Sequence, residues 1–134
     1  MIEGLHFHHI GIATQDIDKT AVQYLNLGYE MDGGIVFDPQ QNVNICFLRH
    51  PAMPLVELLS PVDDKSPVVQ ILQKNGVTPY HSCYSVENLE EVVRQLRKLR
   101  YMVVSSPKPA CAIGDRRVAF LYHKDMGLIE LVEA

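Results

Sequence analysis

The stretch CFLRHPAMPLVEL, Cys46 to Leu58, and the stretch AFLYHKDMGLIEL, Ala119 to Leu131, carry one pattern twice. Phe, Leu, His, Met, Leu, Glu and Leu coincide when the chain is slid along itself by about seventy residues, which lays Glu57 over Glu130. Outward from there, HHIGIATQDIDKTAVQYLNLGYEM from His8 lies over YHSCYSVENLEEVVRQLRKLRYMV from Tyr80. This pairs His9 with His81, Leu27 with Leu99 and Tyr29 with Tyr101. Self-similarity at a fixed period marks a repeated supersecondary unit. The chain therefore reads as duplicated, with one His and one Glu at matched places in each half.

Each half reads as strand, helix, then three strands. Alternation in Phe7–Thr14 and Ser82–Val86 marks the opening strands, so the fold class expected is α+β, two βαβββ modules. The first helix is expected to start at an Asp16 N-cap, run to Leu27 and stop at Gly28 in the left-handed C′ position. In the second half Asn88 followed by Glu91 has capping-box spacing, and Leu89, Val92, Val93, Leu96 and Leu99 form one apolar stripe. SPVDDKSP is a polar connection leading to a short helix from about Val68 to Lys74, stopped at Asn75-Gly76. The boundaries expected are a first module over about 5–61, a linker over about 62–76 and a second module over about 77–134, within a single domain.

The 134 residues are 47% apolar and 21% charged, which suits one compact globular body. A net charge of -4 gives no electrostatic reason to expect nucleic acid, so a small molecule is the expected partner. No stretch approaches the roughly 20 apolar residues of a membrane helix and no export signal is visible, so a cytoplasmic protein is expected. Cys46, Cys83 and Cys111 lack paired C-x-x-C spacing and read as reduced thiols. Gly33-Gly34 lacks the spacing and following helix of a dinucleotide fingerprint.

Side chains alternate across a strand, so His9, Glu57 and His81 each share a face with largely apolar neighbours. A carboxylate aimed into such a face must be paired, protonated or bound to a metal, because an isolated buried charge costs several kcal/mol. A lone His there reads as a hydrogen-bonded core residue. Two His and two Glu at matched places read instead as an N2O2 shell for one divalent metal ion: His9, Glu57, His81 and Glu130.

These residues and their motifs, HIGIA at His9, VELLSP at Glu57, HSCYSV at His81 and GLIELVE at Gly127, resemble the vicinal-oxygen-chelate superfamily over nearly the whole chain. That superfamily includes glyoxalase I, methylmalonyl-CoA epimerase, the fosfomycin and bleomycin resistance proteins and the extradiol dioxygenases. The resemblance implies a curved mixed sheet of the glyoxalase/bleomycin resistance/dioxygenase type, one metal ligand per motif, and a Ni, Co, Zn or Mn ion. It also implies a substrate with adjacent oxygens, either a thiol adduct or an acyl-CoA, and a homodimer with sites within one chain or across two. By the same resemblance the expected reaction is proton transfer beside a metal-bound carbonyl. Glu130 is the expected base, Glu57 the second candidate, and a glyoxalase I (lactoylglutathione lyase) type activity comes first.

The alternatives are a methylmalonyl-CoA epimerase-like racemase and a non-catalytic drug-binding protein of the same fold. Two departures bear on the choice. Ala13 and Pro61 stand where glutathione-using glyoxalases carry Arg and Asn, and Gln40-Gln41-Asn42-Val43 stands where epimerases show Glu-Gln-Gly-Val. Among the remaining residues, Cys83 reads as buried core near the site, and His6, His8, His50 and His123 are not counted as ligands. Lys108, Arg116 and Arg117 read as a solvated cluster that can also clamp an anion. PKPACAIGD reads as an irregular lid.

Overall fold

A computed structural model describes residues 1–134. The chain divides into two compact units, one of His9–Tyr80 and one of Met1–His8 with His81–Ala134. The first holds most of β1 (His6–Ala13), then α1 (Ile17–Asn26), β2 (Glu30–Asp38), β3 (Val43–Arg49), β4 (Val56–Pro61) and α2 (Val69–Asn75). The second holds most of β5 (Thr78–Val86), then α3 (Leu89–Lys98), β6 (Met102–Ala110), β7 (Arg116–His123) and β8 (Gly127–Glu133). Strand order is β2-β3-β4-β1 in one and β5-β8-β7-β6 in the other. The opening strand runs parallel to the closing one in both, β1 to β4 and β5 to β8, and the other pairings are antiparallel. Both βαβββ modules are thus present, each as a mixed sheet.

Local sequence accounts for the helices. The Asp16 carboxylate accepts from the Lys19 N–H at 3.1 Å, and Gly28 at φ 94° ends α1. A Cβ at Gly28 would sit 3.1 Å from His50 Nε2, so a side chain there would require His50 to shift, and the backbone is left-handed. Asn88 caps α3 by accepting from the Glu91 N–H at 3.1 Å. Only half of the expected capping box forms. The Glu91 carboxylate turns to Arg94 at 2.6 and 2.9 Å and to Gln95 at 2.8 Å, because charge-assisted bonds outweigh a neutral backbone donor. Leu99, expected on the apolar stripe, is the exposed C-cap residue of α3.

Each sheet has one face under its helix. Ile17 and Ala21 of α1 pack on Ile12, Cys46, Leu48, Val56 and Leu58, and Leu89, Val92 and Leu96 of α3 pack on Val86, Ala119, Leu121, Ile129 and Leu131. Burying such clusters is the main stabilising term for each module. Because the pleat has period two, the residues between them face the other way, and these include both His–Glu pairs.

The PKPACAIGD segment differs from its expectation. Its first four residues complete β6, pairing Lys108 with Val118, Pro109 with Arg117 and Ala110 with Arg116, and only Cys111–Ile113 forms a short 3₁₀ turn. Proline is tolerated there because β6 lies at a sheet edge. The segment is a hairpin rather than an irregular lid. Gly33-Gly34 sits at a register shift in β2 between Asp32 and Val36. No helix is long and apolar enough to cross a membrane.

Candidate metal centre

In the His9–Tyr80 unit, β1 and β4 lie side by side with Gly11 opposite Glu57. This brings His9 Nε2 to 3.3 Å from Glu57 Oε1. In the other unit, β5 and β8 repeat the arrangement with Cys83 opposite Glu130, and His81 Nε2 lies 2.8 Å from Glu130 Oε2. All four residues are buried, His9 completely. The pairs expected from the repeat are therefore formed within each module.

An aromatic ring completes each pair. Phe47 is the cross-strand neighbour of Glu57, and its ring stands edge-on to His9 with centroids 5.4 Å apart at 84°. Phe120 is the neighbour of Glu130 and stands edge-on to His81 at 5.4 Å and 88°. Both phenylalanines are 8% exposed. Edge-to-face geometry is favourable in itself, and it fixes the imidazole plane so that Nε2 is the nitrogen presented to the carboxylate. Sequence reasoning did not single out these two rings as part of the site. Their signal was present as the coinciding Phe in the two quoted stretches.

The donor chemistry fits a divalent first-row ion. Each module offers one imidazole nitrogen and one carboxylate oxygen, both withdrawn from bulk water. Around Glu130 the wall is apolar: Cys83, Ala110, Val118, Phe120 and Val132 form one buried cluster. Cys83 is fully buried there, as expected of a small core residue.

The other named residues fall elsewhere. His50 Nδ1 accepts from the Ala52 N–H at 2.9 Å and His123 Nδ1 from the Asp125 N–H at 3.0 Å, so both histidines hold hairpin turns. Arg117 donates to Glu133 at 2.7 and 3.0 Å and also pairs with Glu90, while Arg116 donates to the Glu133 carbonyl at 2.7 Å. These arginines tie β7 to β8 and α3. Lys108 is exposed. Gln40 is exposed, and its N–H donates to the fully buried Asp38 carboxylate, which also accepts from the Gln41 N–H and Nε2. Asp38 organises the β2–β3 turn, the usual work of an Asp before such a turn.

The family model of the Glyoxalase/Bleomycin resistance protein/Dioxygenase superfamily matches residues 8–120. An ethylmalonyl-CoA/methylmalonyl-CoA epimerase of Cereibacter sphaeroides is 33% identical over 130 residues, 92% of this chain and 94% of that protein. Among solved structures, methylmalonyl-CoA epimerase from Mycobacterium tuberculosis superposes with a TM-score of 0.85 at 26% identity, covering 99% of this chain and 91% of that one. A variant of the Streptomyces coelicolor methylmalonyl-CoA epimerase in complex with 2-nitronate-propionyl-CoA does so with a TM-score of 0.84 at 26% identity, covering 98% and 99%.

Proposed function

Because the chain belongs to the glyoxalase/bleomycin resistance protein/dioxygenase superfamily, we propose that it is a metal-dependent acyl-CoA epimerase, inverting the carbon next to a thioester in substrates of the methylmalonyl-CoA class. Relatives that are enzymes, similar over nearly the whole chain, support a catalytic role. They favour the epimerase over the glyoxalase I-type lyase that the motifs put first, and over a non-catalytic binder. The observation that carries the reading is the repeated buried His–Glu pair, with a phenylalanine placed alike on each.

His9, Glu57, His81 and Glu130 would together hold one divalent cation. Lewis-acid polarisation of the thioester carbonyl, which acidifies the adjacent C–H, is the chemistry such an ion supplies when bound. Glu130 takes the proton from the α-carbon as that C–H bond breaks and its electrons delocalise toward the carbonyl. Inversion requires a proton to return on the opposite face. Gln40 cannot ionise, so the opposite face is assigned to Glu57. Glu57 enters the cycle as the protonated acid, delivers its proton to the α-carbon and leaves as the carboxylate, while Glu130 leaves protonated. Phe47 and Phe120 shield both carboxylates from bulk water during proton transfer, and each Glu exchanges its proton with solvent between turnovers.

The test is stereospecific methylmalonyl-CoA incubated in D2O with metal-loaded protein and followed by NMR and chiral analysis. Deuterium at the α-carbon together with loss of stereochemical purity is expected. Turnover of the methylglyoxal hemithioacetal with no exchange into the acyl-CoA would move the assignment to the lyase. A homodimer belongs to the same proposal. Strand β2 lies at a sheet edge and exposes Met31, Ile35, Val36 and Phe37, an apolar surface that suits a second copy. Sedimentation at twice 15.1 kDa is the expected result.

A further inference from the structure

The two modules agree at their His–Glu pairs and differ at a place that forms a cleft in the second. A cleft of about 370 Å³ opens at the end of β7, lined by Arg100, Met102, Tyr122, His123 and Lys124. The repeat assigns each of these a counterpart in the first module: Gly28, Glu30, Arg49, His50 and Pro51. The framework is the same in both. His50 stacks on Tyr29 and His123 on Tyr101, with centroids 5.1 and 4.8 Å apart, and each His closes its turn through Nδ1. Every lining position except the His has changed. In the first module Glu30 and Arg49 offset each other in charge, and Arg49 is paired with Asp32. In the second, Arg100 and Lys124 add two cations, and Met102 and Tyr122 replace the charged pair with apolar floor.

Arg100 is the telling substitution. It sits at φ 71°, the left-handed C′ position that Gly28 fills at φ 94° in the first module. A non-glycine residue held in that conformation is strained, and such strain persists where the side chain has a use. Tyr122 pairs in register with Leu128 and Met102, two residues along from the Phe120–Glu130 pair. The strand period therefore puts Tyr122 on the same sheet face as Phe120 and Glu130. From Phe120 to His123 the strand rises on the order of 10 Å. A substrate reacting at Glu130 whose charged carrier follows on a flexible arm would place that carrier here, within reach of the long Arg100 and Lys124 side chains.

We propose that the Arg100–Lys124 cleft binds the phosphate groups of a coenzyme A thioester. This rests on the acyl-CoA reading and names the part of the chain that recognises the carrier. Arg100 supplies a planar fork that matches phosphate oxygens, Lys124 adds a second positive charge, and Tyr122 and Met102 offer apolar surface for the carrier's uncharged parts.

The variant to make is Arg100→Gly with Lys124→Ala. The first change restores the residue of the first module and relieves backbone strain, so the protein is expected to fold at least as well. Calorimetric titration with coenzyme A is expected to show about tenfold or greater loss of affinity, with pantetheine binding unchanged. With methylmalonyl-CoA, KM rises while kcat stays level. Equal affinity of variant and wild type for coenzyme A, no coenzyme A binding by either, or binding of inorganic pyrophosphate without coenzyme A would each overturn the proposal. If the variant loses coenzyme A affinity but the wild type turns over no acyl-CoA, the cleft stands and the epimerase reading falls. If turnover is intact and the variant's KM is unmoved, the cleft fails and that reading stands.

Discussion

At the scale of single residues, the site depends on what surrounds each carboxylate. Glu130 is almost fully buried, lies 2.8 Å from His81 Nε2 and has Phe120 beside it across the strands. Glu130→Gln keeps the volume but removes the carboxylate charge proposed to serve as metal ligand and proton acceptor. A fall in turnover of about 10²-fold or more is expected from loss of a general base, with weakened metal binding measured by competition against a chromophoric chelator. Phe120→Leu tests the ring. The leucine fills apolar space but presents no ring edge to His81, and groups that orient a metal-ligating histidine typically contribute about 10- to 100-fold to affinity. Tenfold weaker binding with an unchanged fold is expected. A lower melting temperature with unaltered metal affinity would make Phe120 only a packing residue. The four His and Glu positions were legible in the sequence because duplication turns a coincidence into a pattern. The phenylalanines were equally duplicated, but an apolar residue on a strand reads as core, and only cross-strand register reveals which His and Glu it touches.

At the scale of elements, helices were legible because their signals are local. Asp16, Asn88 and Gly28 act within one turn of themselves. Asn88→Ala is expected to lower stability by about 1 kcal/mol in urea titration, and Arg100→Gly to raise it by up to about 1 kcal/mol. The exposed pair on α3 gives a pH signature. Hydrogen bonds from Arg94, and then from the Gln95 amide, hold the Glu91 carboxyl down to about 2. A depressed folded-state value stabilises the helix fully above the ordinary glutamate range, and that contribution is lost as pH falls toward 2. An NMR titration of the Glu91 carboxyl checks it. A midpoint near the ordinary glutamate value would show that the pair does not persist in solution. The β6 end was not legible. PKPA has the composition of a loop, yet pairing with Arg116–Val118 makes it strand, and that pairing depends on residues across the hairpin rather than on local preference.

At the scale of the whole molecule, the duplication explains what is shared, and its departures mark where the modules are specialised. Two modules with the same sheet order, the same His–Glu pair and the same phenylalanine present equivalent donor atoms to the proposed centre. The cationic cleft lies in the second module. That cleft could not be read from sequence because its residues come from the end of α3, the start of β6 and the β7–β8 turn, which only the fold assembles. Since folding and metal binding are linked, chelation is expected to lower the melting temperature. At metal concentrations 1,000-fold above Kd the difference corresponds to about 4 kcal/mol, which thermal unfolding with and without chelator would measure. The most direct test of the proposed centre is metal stoichiometry by mass spectrometry on protein stripped and reloaded with Ni, Co, Zn or Mn. One ion per chain in the wild type, lost alike in His9→Ala and His81→Ala, is the result predicted for a single shell drawn from both modules. Two ions per chain, none under any loading, or full retention in either variant would contradict it.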